Sequence, residues 1–363
     1  MIKKKILIAT GGSGGHTFPA YSLATYLIKK NFNVKLTTDN RGFSYLKNFK
    51  NLKLIKIHSS PLVKRNFFSF IFSIIIITFS IFKSLIYLLL NRPLIIFGMG
   101  GYSSFPICIA AAILRIKFVI YENNLIIGKA NKYLLPFTEK IFVSHSELEG
   151  IIEKYNNKTV KVGNILREEI INSYLRDRVY QFDSMKILVL GGSQAAKVFA
   201  DELPNIFKRL NDSEIPIKIF QQCQKKQNQQ LSKFYKENNI NHEIFNFSDK
   251  IVDYYSKANL VITRSGASVL GELININIPF ISIPLPTSAD NHQYKNALFY
   301  KKNGYGYLLE EKDIKKKLYE LISTLFNDKL LLKKILSNQK QYSDKDVFKN
   351  LGILIEEILN EKN

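Results

Sequence analysis

Residues 5–15 read KILIATGGSGG, and residues 186–196 read KILVLGGSQAA. Each is a run of strand-forming apolar residues that ends in a glycine-rich turn, and a helical pattern follows each turn. A strand feeding a helix through glycines opens a doubly wound parallel sheet. A chain that makes this opening twice is expected to build two such sheets, and 363 residues suffice for two separate cores.

The rest of the chain keeps that rhythm. Short β-rich runs fall at Lys5–Ala9, Val34–Thr37, Leu54–Ile57, Leu94–Phe97, Phe118–Tyr121 and Ile141–Val143. After the restart they fall at Lys186–Leu190, Ile217–Phe220, Glu243–Phe245, Leu260–Thr263, Phe280–Ile283 and Gly306–Leu309. Longer helical patterns separate them, which implies βαβ units and an α/β class. The break is expected near Gly163–Arg167, giving domains of 1–163 and 164–344.

Charge divides unevenly across that break. The chain carries a net charge of +22, yet residues 1–163 hold 23 Lys/Arg against 6 Asp/Glu, a net of +17. Residues 164–363 hold 29 against 24, a net of only +5. So basic a first half attracts nucleic acid, anionic lipid or phosphorylated substrates. No aromatic-interleaved RNA-binding motif accompanies the charge, so nucleic acid is not expected as a partner. The two cysteines, Cys108 and Cys223, make neither a disulfide framework nor a metal-binding pair. The opening MIKKKILIAT has too short an apolar run for a signal peptide, and a cytoplasmic compartment is expected.

Residues 66–90, NFFSFIFSIIIITFSIFKSLIYLLL, contain Lys83 as their one charge and approach the ~20 residues that span a bilayer. Asn66, Ser69, Ser73, Ser80, Ser84, Tyr87 and Asn91 recur at helical spacing and form one narrow stripe. The segment connects strands 54–57 and 94–97, which a parallel crossover places in one sheet. That argues against a span. With Lys64 and Arg65 before it and Arg92 after it, the helix suits an anionic membrane surface, although a fully buried helix also fits.

Several loops carry chemistry. GGSGGH (Gly11–His16) lets the backbone approach a ligand, and the helix start behind it favours an anion. It departs from a dinucleotide fingerprint, and only Asp39 follows the second strand as an acidic residue. His16 serves there either as a general base or phosphate donor, or only as a structural histidine at a helix start. GMGGYSSFP (98–106) is a second glycine turn at the same sheet edge. YENN (121–124) adds the carboxylate of Glu122 and the amide of Asn124. In the second half, GGSQAA (191–196) offers Ser193, TRSGASVLGE (263–272) brings Glu272 onto a helix as a ligand for a vicinal diol, and ADNHQYKNA (289–297) is dense in amides suited to a sugar. No GxSxG, HExxH or Walker A motif occurs. The Asp344–Asp346 pair precedes a helical pattern and reads as a cap rather than a metal site. Neither metal nor cofactor is expected.

In this order, GGSGGHTFPA, GMGGY, ENN, GN-x-x-R (163–167), GGSQ, RSGA…E and D-x-x-QY-x-NA resemble the MurG family of bacterial glycosyltransferases. Those enzymes move N-acetylglucosamine from UDP-N-acetylglucosamine onto undecaprenyl-pyrophosphoryl-MurNAc-pentapeptide, converting lipid I to lipid II in peptidoglycan synthesis. The resemblance implies a GT-B fold, two doubly wound Rossmann-like domains facing across a cleft. The first would be the acceptor and membrane-associated domain, with a C-terminal helix at about 345–363 packing back on it. The second would bind the UDP-sugar.

By position, the family's donor contacts fall on Ser13, Gly14, Gly15, Asn124, Arg167, Ser193, Ser248, Ala267, Ser268, Val269, Leu270, Gly271, Glu272 and Gln293. Ser248 would meet the uracil through its backbone, Glu272 the ribose and Gln293 the sugar hydroxyls. Gly11, Gly12, Gly100, Gly101 and Tyr102 would face the acceptor. The reaction implied is inverting displacement by the MurNAc 4-hydroxyl, with His16 or Glu122 removing the proton. The expected location is the cytoplasmic face of the bacterial inner membrane, held peripherally by anionic lipids.

Three positions depart from the family pattern: Tyr121 stands where a histidine is usual, Ala195 replaces a glycine, and His292 replaces the first of two glutamines. The alternatives are another GT-B enzyme, such as a glycolipid-forming glycosyltransferase or a UDP-sugar epimerase.

Overall fold

The computed structural model describes residues 4–47, 49, 52–57, 59, 66–192, 196–248 and 250–360. The chain divides into two compact units, Met1–Arg167 with Asp344–Asn363, and Glu168–Ser343.

In the first unit the strands β1 (Lys5–Ala9), β2 (Asn33–Thr38), β3 (Lys53–Lys56), β4 (Ile95–Gly98), β5 (Phe118–Glu122), β6 (Ile141–Val143) and β7 (Thr159–Lys161) form one sheet. Its order is β3-β2-β1-β4-β5-β6-β7, with every pair parallel. The inner strands are buried on both faces, as in Ile95–Gly98 and Phe118–Glu122, which is why they read as continuous apolar runs rather than alternating ones.

The second unit repeats the plan with β8 (Met185–Leu190), β9 (Ile217–Gln222), β10 (Asn241–Phe245), β11 (Leu260–Thr263), β12 (Phe280–Ser282) and β13 (Tyr307–Leu308). Here the order is β10-β9-β8-β11-β12-β13, again parallel. Both orders are the 3-2-1-4-5 winding of a Rossmann sheet, with a switch point beside the first strand. Each of the twelve expected strands forms, three with the expected ends and the others with ends moved by one or two residues. The unforeseen β7 is a three-residue edge strand, half-exposed and too short to show a pattern.

The Phe67–Asn91 helix connects β3 and β4, which lie in one sheet as the crossover required. Asn66 starts it with a capping box, accepting from the Ser69 N–H at 2.8 Å. It packs on the Phe105–Ile113 helix, which is rich in small alanines. Its buried positions are Ser73, Ser80, Ser84 and Leu88. The small-residue stripe therefore faces inward. Each serine hydroxyl donates to its own helix, Ser73 to Ser69 O, Ser80 to Ile76 O and Ser84 to Ser80 O. What remains outside is apolar: Phe67, Phe68, Phe72, Ile75, Phe79, Phe82, Leu89 and Leu90 are all more than half exposed. The helix is long and apolar enough to cross a membrane by length and composition. It is an inverted amphipathic helix, and a full burial of it is excluded by that exposed face.

The Val347–Asn360 helix belongs to the first unit. Phe348 stacks on Tyr26 with ring centroids 4.9 Å apart, and Lys117 donates to Ile358 O at 3.4 Å. Asp344 is buried and accepts the Asn164 amide at 2.8 Å, so its carboxylate joins the outgoing and returning chain within that unit.

Candidate active site

Three loops meet at the carboxyl edge of the first sheet. The turn after β1 opens the Gly14–Lys29 helix, with Ser13 at its N-cap and His16 in its first turn. Gly12 lies at φ +80°. The turn after β4 passes through Gly100 and Gly101 at φ +83° and +78°, a region that disfavours any side chain. These two turns interlock. A Cβ on Gly100 would sit 2.8 Å from His16 Nδ1, and one on Gly101 would sit 2.9 Å from Gly11 O. Bare glycine lets the imidazole lie against the second loop.

Asp39 locks the pair together. Its carboxylate accepts the Gly12 N–H at 3.0 Å, the Tyr102 hydroxyl at 2.8 Å, the Ser103 hydroxyl at 3.0 Å and the Gly42 N–H at 2.8 Å. Burial acts to raise its pKa, but the hydrogen bonds from Gly42, Tyr102, Gly12 and Ser103 outweigh it and hold the carboxyl below its ordinary value. Burial, then the bonded Asp39, pushes the Tyr102 phenol up to about 12. Asp39 stands just past β2, where a dinucleotide-binding domain places its ribose ligand. Here that carboxylate is committed to the loops, and the Gly12 N–H is committed to it.

The third loop follows β5. Glu122 is 2% exposed. Its Oε1 accepts the Asn124 N–H and side-chain amide at 3.1 and 2.9 Å, and its Oε2 accepts the Gly128 N–H and Asn131 amide at 2.8 and 3.0 Å. A carboxylate has about four acceptor sites, and all four are taken. The Asn123 amide donates to Gly15 O at 2.9 Å, tying this loop to the first. Arg167 reaches the same neighbourhood, its guanidinium 5.3 Å from the Phe18 ring, which packs on Gly14. Thus Ser13, Gly14, Gly15, His16, Gly100, Gly101, Glu122, Asn124 and Arg167 are gathered within one unit.

Tyr121 is fully built in. Its hydroxyl pairs with Ser144 Oγ at 2.8 Å, donates to Gly163 O at 3.2 Å and accepts the Ile165 N–H at 3.1 Å. Burial raises its pKa. The phenol anchors the chain leaving the sheet, a task an imidazole is too short to share.

In the second unit the Ala267–Asn275 helix begins after β11 with Gly266 as its N-cap, and it carries Ala267, Ser268, Val269, Leu270, Gly271 and Glu272. Glu272 is buried and accepts the Tyr255 hydroxyl at 2.8 Å. Arg264 lies just before the helix; its guanidinium donates to Ile283 O and Pro284 O at 3.2 and 3.1 Å and pairs with Glu311. Gln293 accepts the Leu285 N–H through Oε1 at 3.0 Å, fixing its amide. Asn296, one of the amides read as sugar-facing, is instead fully buried and donates to Ser265 O at 3.1 Å. Ser248 is half-buried, its hydroxyl accepting the Lys250 N–H at 3.1 Å. It lines a groove of about 410 Å³ with Phe247 and Tyr254. Ser193 and Ala195 lie outside the described residues. Among the described residues no cluster of His, Cys, Asp and Glu could hold a metal.

Residues 6–143 match the glycosyltransferase family 28 N-terminal domain, and residues 186–351 match the family 28 C-terminal domain. The UDP-N-acetylglucosamine–N-acetylmuramyl-(pentapeptide) pyrophosphoryl-undecaprenol N-acetylglucosamine transferase of Pelagibacter ubique is 37% identical, over 99% of this chain and all of that one. Its counterpart in Rickettsia bellii is 34% identical, over 98% of this chain and all of that one. The chain belongs to the MurG family.

Among solved structures, Acinetobacter baumannii MurG superposes with a TM-score of 0.76 at 24% identity, covering 98% of this chain and 99% of that one. An S. aureus MnaA–UDP co-structure follows the same fold at TM-score 0.68 and 16% identity, covering 98% and 97%. The fold is GT-B.

Within this MurG-family chain, reading the residues alone passed over Asp39, Asn131, Tyr255 and Arg264 as working residues. Asp39 carried a signal, the sole acid after the second strand. The others are polar side chains whose partners lie far off in sequence, so spacing could not reveal them.

Proposed function

We propose that the protein transfers N-acetylglucosamine from UDP-N-acetylglucosamine to the 4-hydroxyl of MurNAc in undecaprenyl-pyrophosphoryl-MurNAc-pentapeptide, with inversion, forming a β-1,4 bond. The carrying observation is the meeting of three loops around His16 in a chain that such transferases match from end to end. The acceptor oxygen attacks the anomeric carbon, the bond to the UDP oxygen breaks, and UDP leaves. His16 takes the hydroxyl proton. Glu122, with its acceptor sites filled, holds the third loop rather than serving as the base. Backbone N–H groups at the Gly14–Lys29 helix start and Arg167 face phosphate charge. The donor lies on the second unit, its uracil at Ser248, its ribose at Glu272 and its sugar hydroxyls at Gln293, with Ser193 near the diphosphate.

The protein works peripherally on the cytoplasmic face of the inner membrane. The exposed apolar face of the Phe67–Asn91 helix and the basic first half support this, since such a face beside cations suits an anionic bilayer surface. Incubation with UDP-N-acetylglucosamine and a lipid I analogue should yield the β-1,4 disaccharide product. Transfer to diacylglycerol instead, or epimerisation of the donor without acceptor, would overturn the reading.

A further inference from the structure

A glutamate carboxylate turns easily about its last torsion, a broad, roughly two-fold well that the rotamer does not set. Gripping a vicinal diol requires that plane to be fixed in advance. Glu272 has an external fix. The Tyr255 hydroxyl donates to its Oε2 at 2.8 Å, and Tyr255 is 1% exposed, so the phenol has no room to swing away.

Tyr255 is itself held. It lies on the Ile251–Lys257 helix, whose C-terminal carbonyls are gathered by Arg178, with its Nη1 donating to Tyr255 O at 3.3 Å, Ser256 O at 2.6 Å and Ala258 O at 3.0 Å. A cation there complements the helix dipole. The preceding residue, Tyr254, stacks on Phe245 at 3.9 Å and lines the groove with Ser248. One short helix thus serves the groove through Tyr254 and Glu272 through Tyr255.

We propose that Tyr255 is a positioning residue that sets the Glu272 carboxylate for the donor ribose, and so controls the preference for a ribonucleotide over a deoxyribonucleotide. This inference rests on the assignment of Glu272 to the ribose. Calorimetry on the full chain with UDP and with 2′-deoxy-UDP tests it in wild type, Tyr255→Phe and Glu272→Gln. Glu272→Gln should abolish the preference for UDP. Tyr255→Phe should reduce it about tenfold, the worth of one charge-assisted hydrogen bond, while UDP still binds and thermal unfolding shows a folded protein. An unchanged preference in Tyr255→Phe beside a lost one in Glu272→Gln overturns the proposal, whatever the change in melting temperature. An unchanged preference in both variants removes the ribose assignment and the proposal with it.

Discussion

The Tyr102 hydroxyl donates to Asp39 Oδ2 at 2.8 Å, joining the glycine turn after β4 to the acid after β2. The same carboxylate holds Gly12, so one side chain governs both glycine loops. Asp39→Ala should cost about 2–3 kcal/mol of stability, because buried donors lose a charged acceptor. It should lower kcat strongly and leave UDP affinity within about twofold, since the residues assigned to the uracil and the ribose, Ser248 and Glu272, lie in the other unit. Chemical unfolding, kinetics and calorimetry on one preparation check this. A large loss of UDP affinity would contradict the division of labour.

Gly100→Ala tests the contact between the second loop and His16. A Cβ would meet the imidazole at 2.8 Å, at a backbone φ of +83°. The ring must move, and a misplacement of about 1 Å can cost on the order of a hundredfold in rate. Turnover should fall by at least tenfold with the melting temperature lowered only modestly; wild-type kcat would remove His16 from the chemistry.

His145, 3% exposed after β6, has its pKa lowered to about 4 by burial, with Lys161 pushing the same way and Glu147 opposing. The unfolded chain titrates near the ordinary histidine value of about 6.5, so between these values it binds more protons than the folded one. Stability contributed by the neutral ring is full above about pH 6.5 and is lost as pH falls toward about 4. The slope attributable to His145 is at most about 1.4 kcal/mol per pH unit. His145→Asn should flatten the fall of unfolding midpoint across that window. Parallel profiles for the two proteins would show that another group is responsible.

Opposite faces of the Phe67–Asn91 helix should respond in opposite ways. Replacing exposed Phe68, Phe72 and Phe79 with serine should leave stability within about 0.5 kcal/mol per site yet abolish sedimentation with anionic vesicles. Ser84→Leu, at a fully buried position, should destabilise by about 1–3 kcal/mol through overpacking and leave vesicle binding intact. Vesicle binding that survives the triple serine variant would remove this helix as the docking face.

Much of the fold was legible because parallel strands buried on both faces leave apolar runs bounded by glycine turns, and twelve runs located twelve strands. The helix at 66–90 was legible in its length and stripe but not in its orientation. Serine stripes at helical spacing look polar, and only packing against the Phe105–Ile113 helix turned them inward, where their hydroxyls bond to their own backbone. The Asn296 amide likewise looked available for sugar until burial beside Ser265 gave it a backbone partner.

By itself the sequence determined the parallel α/β class, the repeated strand–glycine–helix opening and the family, because these rest on residue type and local spacing. The tertiary structure alone decided which polar groups are committed. Asp39 became a clamp, Glu122 a filled scaffold and Tyr255 the partner of Glu272, since a hydrogen bond is assigned by positions in space and a buried donor or acceptor must find one.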